Sequence, residues 1–211
     1  MILDLLKGLG VSAELFFLTL LFALPLGLAI EFGRMSKNPF VSQIFRIYIS
    51  IMRGTPLMLQ LLFVYFGPYY LLGVSLSGYS PFVGAVVAFA LNYAAYFAEI
   101  YRAGIESIDH GQYEAAESLG LGKARTFFYI IFPQVVKRIL PPVTNEVITL
   151  VKDTSLAFTL SVMEMFTVAK MAAAAHTTMM PLIAAGVFYY IFNYLVAWAM
   201  EALERRFSYY N

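Results

Sequence analysis

The chain has 211 residues, 61% hydrophobic and 13% charged, with a net charge of +1 and no cysteine. Soluble domains average roughly 45–50% apolar and 25% charged residues, so this composition, with a mean hydropathy of +0.74, excludes an ordinary soluble enzyme. Lack of cysteine excludes disulfide scaffolds and thiolate chemistry. Two histidines leave little for a His-based metal site, and the near-neutral charge argues against nucleic acid as a partner.

What remains is a polytopic membrane protein. A spanning helix takes about 20 mainly apolar residues, and charge is costly at the bilayer centre. Leu15 to Ile30 is charge-free and marks the first span, 11–33. Residues 1–10, with Asp4 and Lys7 among leucines, read as an interfacial segment. They lack the basic n-region and cleavage site of a signal peptide. Gly54 to Ala98 is also charge-free and too long for one crossing. Gly67-Pro68, Gly73, Ser77-Gly78 and Ser80-Pro81 are turn signals. They divide it into spans 41–66 and 82–104, joined by a Tyr-rich loop near 67–81. Arg53 lies deep and is placed to fix the start of the second span, where Pro56 frees backbone carbonyls.

The fourth span is the least obvious. We read Lys137 and Arg138 as snorkelling at an interface, with the crossing at about 134–152 despite Glu146. Pro181 starts the fifth helix, spanning 182–204. The expected architecture is all-α, a single transmembrane domain over 1–211 with five transmembrane helices. Lys and Arg in short loops gather beside Arg34, Lys37, Lys123, Arg125, Arg205 and Arg206. That side is cytoplasmic by the positive-inside rule, which puts the N-terminus outside and the C-terminus inside.

Between spans three and four, residues 105–126 form a charged loop. Ala103, Ile105 and Ile108 give way to Tyr113, Ala115, Ala116 and Leu119 at helical spacing. Gly120 and Gly122 are expected to stop this amphipathic helix. From pattern alone it can rest on lipid headgroups or receive another protein surface against its small residues.

Residues within this loop carry a resemblance. Glu114-Ala115-Ala116, Gly120, Ile130 and Pro133 resemble the EAA signature of ABC importer permeases, with Phe132 where Leu is usual. Arg53-Gly54-Thr55-Pro56-Leu57 with Gln60, and Lys152-Asp153-Thr154-Ser155-Leu156, resemble two further motifs of the polar amino acid permeases of histidine/glutamine/arginine type. The resemblance implies a MetI-like five-helix core. It implies that Glu114, Ala115, Ala116 and Gly120 form a coupling helix seated on a cytoplasmic ABC ATPase. No G-x-x-x-x-G-K-[ST] motif occurs in the chain, so ATP and Mg2+ belong to that partner, expected in two copies. The chain itself is expected to hold no cofactor, no metal and no catalytic residue. A second permease copy, identical or a sister subunit, should complete the pathway across a two-fold axis. An extracytoplasmic solute-binding protein and an amino acid are the remaining partners, and a prokaryotic plasma membrane the location.

The midplane lies ~10 residues in from each interface. That depth falls near Asn92 in span three and Asn145-Glu146 in span four. Glu146, Thr149 and Asp153 recur at i, i+3 and i+7, one helix face that should line a path. Glu146 can instead form an ion pair with Arg53 or Lys152, and Asn92 an interhelical hydrogen bond. Glu99 and Arg102 are spaced for an intrahelical pair. Thr154 and Ser155 are expected to cap a helix over about 158–175 and to offer N–H groups to a substrate carboxylate. The candidate substrate-binding set is Asn92, Glu146, Thr149, Asp153, Thr154 and Ser155. The Asn145-Glu146-Val147 triplet is similar to that of histidine/arginine-type permeases. With a buried anion favouring a cationic side chain, this points to basic amino acids. A secondary transporter or channel would need no ATPase but leaves the Glu114–Pro133 signature unexplained. An intramembrane enzyme would need a constellation that His110 and His176, on separate loops, do not make.

Overall fold

The computed structural model describes residues 1–75 and 78–207. Ser77, one of the turn signals, lies outside them. The described residues are helical with no strand. In chain order they form α1 (Ile2–Arg34), α2 (Pro39–Gly54), α3 (Leu57–Leu72), α4 (Pro81–Glu106), α5 (His110–Ser118) and α6 (Lys123–Thr126). A π-helical turn (Phe127–Ile131), α7 (Phe132–Asp153), a 3-10 segment (Thr154–Leu160), α8 (Met165–His176) and α9 (Met180–Phe207) follow.

Three helices, α1, α4 and α9, are each long and apolar enough to cross a membrane. The bent pairs α2–α3 and Lys123–Leu160 with α8 bring the number to as many as five. In the most apolar stretch of α4, 67% of residues are buried, against 6% for α9. That contrast makes α4 the axis of the bundle. Its Phe89, Tyr93 and Phe97 enter one core with Leu15 and Phe16 of α1, Leu61 of α3 and Leu150 of α7. Glycine sets two of the approaches. A Cβ on Gly27 would stand 2.9 Å from the Ala94 carbonyl oxygen, and one on Gly104 would stand 2.1 Å from Ile139 Cγ2. The α1–α4 and α4–α7 contacts therefore need hydrogen at these positions.

Four expectations are corrected. Residues 1–10 are not a separate interfacial segment. They are the first turns of α1, with Leu5 fully buried beside Met165 and Ala169 of α8. Gly67-Pro68 does not end the second span, because α3 continues to Leu72 and closes on Gly73 at φ 65°. An apolar helix in lipid tolerates the one bond Pro68 removes. Gly122 does not stop the loop helix. Gly120, at φ +74°, does so, and Gly122 is the N-cap of α6. The helix of the loop is not continuous from Ala103 either: α4 ends at Glu106, and Asp109 caps α5 by accepting the Gly111 N–H at 2.7 Å.

The second span is likewise not one straight helix: α2 and α3 are bent by 117°. Proline disfavours the helical conformation in the residue before it, and Thr55 is extended at φ −122°, ψ 150°. Pro56 has no N–H, so the helical partner of the Met52 carbonyl is missing. Two amides replace it. Gln60 Nε2 donates to Met52 O at 2.9 Å and to Thr55 O at 3.1 Å. Asn92 Nδ2, from α4, donates to Met52 O at 3.2 Å and to Gln60 Oε1 at 2.9 Å. Thr55 Oγ1 donates to Ile51 O at 2.8 Å. The break is thus satisfied polar group by polar group and tied to the bundle axis.

Gln60→Leu removes the donors to Met52 and Thr55 and should destabilise the fold by about 1–3 kcal/mol, seen as a lower unfolding midpoint in lipid nanodiscs. Adding Pro56→Ala restores an N–H and should recover part of the loss. An unchanged midpoint in Gln60→Leu contradicts the assignment.

Candidate functional site

Two helix stripes face each other. On α4, Asn92, Tyr96, Glu99 and Ala103 recur at i, i+4, i+7 and i+11. On α7, Arg138, Pro142, Glu146, Thr149 and Asp153 do so over successive turns. Between them lie two cavities. The first, about 230 Å³, is lined by Asn92, Tyr93, Tyr96, Glu146, Thr149 and Asp153, with Thr55 and Leu57 from the break. Four of the six residues expected at a substrate site, Asn92, Glu146, Thr149 and Asp153, therefore come together.

Their environments differ. Asn92 is 4% exposed and spends its amide on Gln60 and Met52, so the interhelical bond and the lining position are both realised. Asp153 accepts the Tyr93 hydroxyl at 2.7 Å. Thr149 Oγ1 donates to Asn145 O at 2.9 Å within its own helix. Among the described residues Glu146 has no ion pair, and neither Arg53 nor Lys152 supplies one. A half-buried carboxylate without a cation attracts any positive group that enters.

Thr154 and Ser155 stand apart from this cavity. Thr154 is fully buried and donates to Val151 O, and Ser155 donates to Lys152 O, each at 2.8 Å. Neither caps a helix over 158–175. The chain passes through the 3-10 segment, and α8 begins only at Met165. Its cap is Glu164, 0% exposed. Glu164 accepts the N–H groups of Phe166 at 2.6 Å and Thr167 at 2.7 Å, and the hydroxyls of Thr167 at 2.8 Å and Tyr189 at 2.9 Å. A helix N-terminus stabilises this buried anion without a basic side chain.

The second cavity, about 320 Å³, extends toward the loop-bearing end. It is lined by Arg53, Tyr96, Glu99, Ala103, Gly104, Ser107, Arg138 and Glu146, with Ile100 and Pro142. Glu99 pairs with Arg102, as its spacing predicts, and also with Arg34 of α1 at 2.5 Å. Arg53 stands 3.8 Å from it. One carboxylate thus draws α1, α2 and α4 together. Arg138, read as an interfacial residue, is exposed. It donates to the Ser107 carbonyl at the end of α4.

At the same end, α5 presents Glu114 and Ala115 to solvent and turns Ala116, 1% exposed, inward. Ile108, Ile131 and Val135 form a small core with Tyr113 beneath it. Leu119 is 78% exposed and Tyr129 81%. The π-turn after α6 precedes Pro133, and Phe132 N–H donates to Phe127 O five residues back.

The lining residues not anticipated are Thr55, Leu57, Tyr93 and Tyr96. The i, i+4, i+7 stripe from Asn92 through Tyr96 to Glu99 was the available signal for α4. Among the described residues no three His, Asp or Glu side chains gather as a metal site would require.

Comparison with known proteins bears on these features together. Residues 23–209 match the family described as binding-protein-dependent transport system inner membrane component. The L-cystine transport system permease protein TcyL of Bacillus subtilis is 39% identical over 94% of this chain and 84% of its own length. The arginine transport system permease protein ArtQ of the same organism is 38% identical over 96% and 91%. The putative glutamine transport system permease protein GlnP of Rickettsia bellii is 32% identical over 97% and 93%. A chain from the crystal structure of an amino acid ABC transporter with histidines superposes with a TM-score of 0.87 at 32% identity, covering 96% of this chain and 94% of that one. The MetNI methionine ABC transporter, at 16% identity and a TM-score of 0.72, shares the fold. The chain belongs to the family of binding-protein-dependent transport system inner membrane components, as a permease subunit of a polar amino acid ABC importer.

Proposed function

We propose that the chain carries basic amino acids, arginine, histidine or lysine, through the cavity between α4 and α7. The observation that carries this reading is Glu146, which faces both cavities without an ion pair. Its carboxylate is placed to receive a guanidinium, ammonium or imidazolium, while Asn92, Thr149 and Asp153 offer polar contacts beside it. Relatives named for arginine, cystine, glutamine and octopine leave that choice to the site rather than to the name. Thr154 and Ser155, with their hydroxyls turned to local carbonyls, would act by shaping the chain after Asp153 rather than by touching the cargo.

The chain has no P-loop, so the energy comes from a partner ABC ATPase, two copies of which hold ATP and Mg2+. Helix α5 is the contact. Its exposed Glu114 and Ala115 meet the ATPase, Tyr113 holds the helix to the α7 side, and Gly120 ends it sharply enough to move as one body. Nucleotide-driven closure is then passed to α4 and α7, the two walls of the path. A second permease copy or sister subunit completes the membrane unit, and a solute-binding protein delivers cargo on the far side. In this reading the N-terminus lies outside and the α9 end inside, in a prokaryotic plasma membrane.

Glu146→Gln removes a charge-assisted contact of about 1.5–3 kcal/mol. Uptake of L-arginine at limiting concentration should fall about 10- to 100-fold, with assembly intact by size-exclusion chromatography. Arginine uptake at the parental rate in this variant removes Glu146 from the site. Ala115→Arg places a bulky charge at the centre of the α5 contact, where truncation-scale losses reach about 2 kcal/mol or more. Co-purification of the ATPase should drop accordingly, and equal recovery with the parent would contradict the assignment of α5.

A further inference from the structure

The second cavity, about 320 Å³, is lined by two opposite charges, Arg53 and Glu146, that no hydrogen bond joins. Glu99 is saturated: Arg102 takes Oε1 and Arg34 takes Oε2. Arg53, at 3.8 Å from that same Oε2, is beyond hydrogen-bond reach, and among the described residues no closer carboxylate meets it. Its guanidinium instead lies over the Tyr96 ring, 5.6 Å from the centroid, with the side chain 43% exposed. Glu146 lines the same cavity and has no cationic partner. A cation with only a long ion pair to Glu99, and an anion with no ion pair among the described residues, thus face one space.

The two cavities share only Tyr96 and Glu146 in their linings. These side chains form the partition between them, and Arg53 is stacked on the partition from the loop-bearing side.

We propose that this second cavity is a binding station for the free amino acid zwitterion, its carboxylate on Arg53 and its ammonium on Glu146, with the Arg53–Tyr96 stack as the gate between the two cavities. The inference rests on the amino acid transport reading and adds a second site to it. Cargo held by Glu146 in the first cavity pivots about that carboxylate when Tyr96 swings, and Arg53 leaves the ring to meet the incoming carboxylate. Bidentate geometry suits the guanidinium to this task better than an ammonium.

The chain contains no cysteine, which gives a clean probe. Ala103 is exposed and lines the second cavity. In the complete complex in nanodiscs, Ala103→Cys is labelled with N-ethylmaleimide and read from the mass of this chain. The common amino acids other than cysteine and cystine, supplied together at millimolar concentration, serve as the protecting probe. At about ten times the dissociation constant, occupancy should slow labelling about tenfold. Arg53→Met should abolish protection, read as the ratio of that variant's own labelling rates with and without amino acids, and Arg53→Lys should retain part of it. Labelling of Ala103→Cys at the same rate with and without amino acids overturns the proposal without any Arg53 variant, as does full protection in Arg53→Met. Uptake by the same complex in vesicles separates the two readings. Uptake without protection defeats the second site alone, whereas no uptake of any amino acid defeats the transport reading beneath it.

Discussion

One missing N–H organises the centre of this molecule. Pro56 cannot bond the Met52 carbonyl, so other donors must. Gln60 supplies one donor from the following helix and Asn92 another from the bundle axis. The bend between α2 and α3 is therefore held open by hydrogen bonds that only α4 can complete. Because Asn92 is also a wall of the first cavity, the same pair of amides that rescues the break positions Thr55 and Leu57 along the path. It also sets Arg53, on the last turn of α2, against Tyr96 and Glu99 of α4.

Charge is then distributed unequally along the facing stripes of α4 and α7. Burial of a carboxylate is costly unless partners meet it, and the fold meets that cost three ways. Glu99 has arginines from three helices, Arg34, Arg53 and Arg102. Glu164 has a helix N-terminus and two hydroxyls. Asp153 has the Tyr93 hydroxyl. Two carboxylates have none of these: Glu31 of α1, 2% exposed with Oε2 lacking a hydrogen-bond partner, lines neither cavity, and Glu146 opens onto both. The satisfied carboxylates hold helices together, whereas Glu146 faces open space.

Much of this was legible in the sequence, and the misses have physical causes. Charge-free runs located α1, α4 and α9, since lipid penalises charge whatever the tertiary context. Glu146, Thr149 and Asp153 were readable as one face because a helix repeats every 3.6 residues. The α2–α3 bend was under-read. Pro56 was recognised as freeing carbonyls, yet the turn of the chain depends on which distant side chains accept the task, and Gln60–Asn92 pairing is a tertiary fact. Thr154 and Ser155 looked like caps by residue type, but their hydroxyls fold back on Val151 and Lys152, and the cap falls to Glu164. Tyr96 was missed because an aromatic in an apolar span carries no signal of its own; only its register with Asn92 and Glu99 marks it. In the 105–126 segment Gly120 was correctly read as a stop, whereas the break at Ser107–Asp109 depends on Asp109 capping α5 and on Arg138 reaching the Ser107 carbonyl.

The proposed account is mechanical: an amino acid passes between α4 and α7 when a partner ATPase's nucleotide cycle moves α5. The most direct test is reconstitution of the permease with and without its ATPase in sealed vesicles, following radiolabelled amino acid accumulation over time. The account predicts accumulation above the external concentration only when the ATPase and hydrolysable ATP are both present. Equal accumulation from the permease alone, or with ATP replaced by a non-hydrolysable analogue, would contradict it.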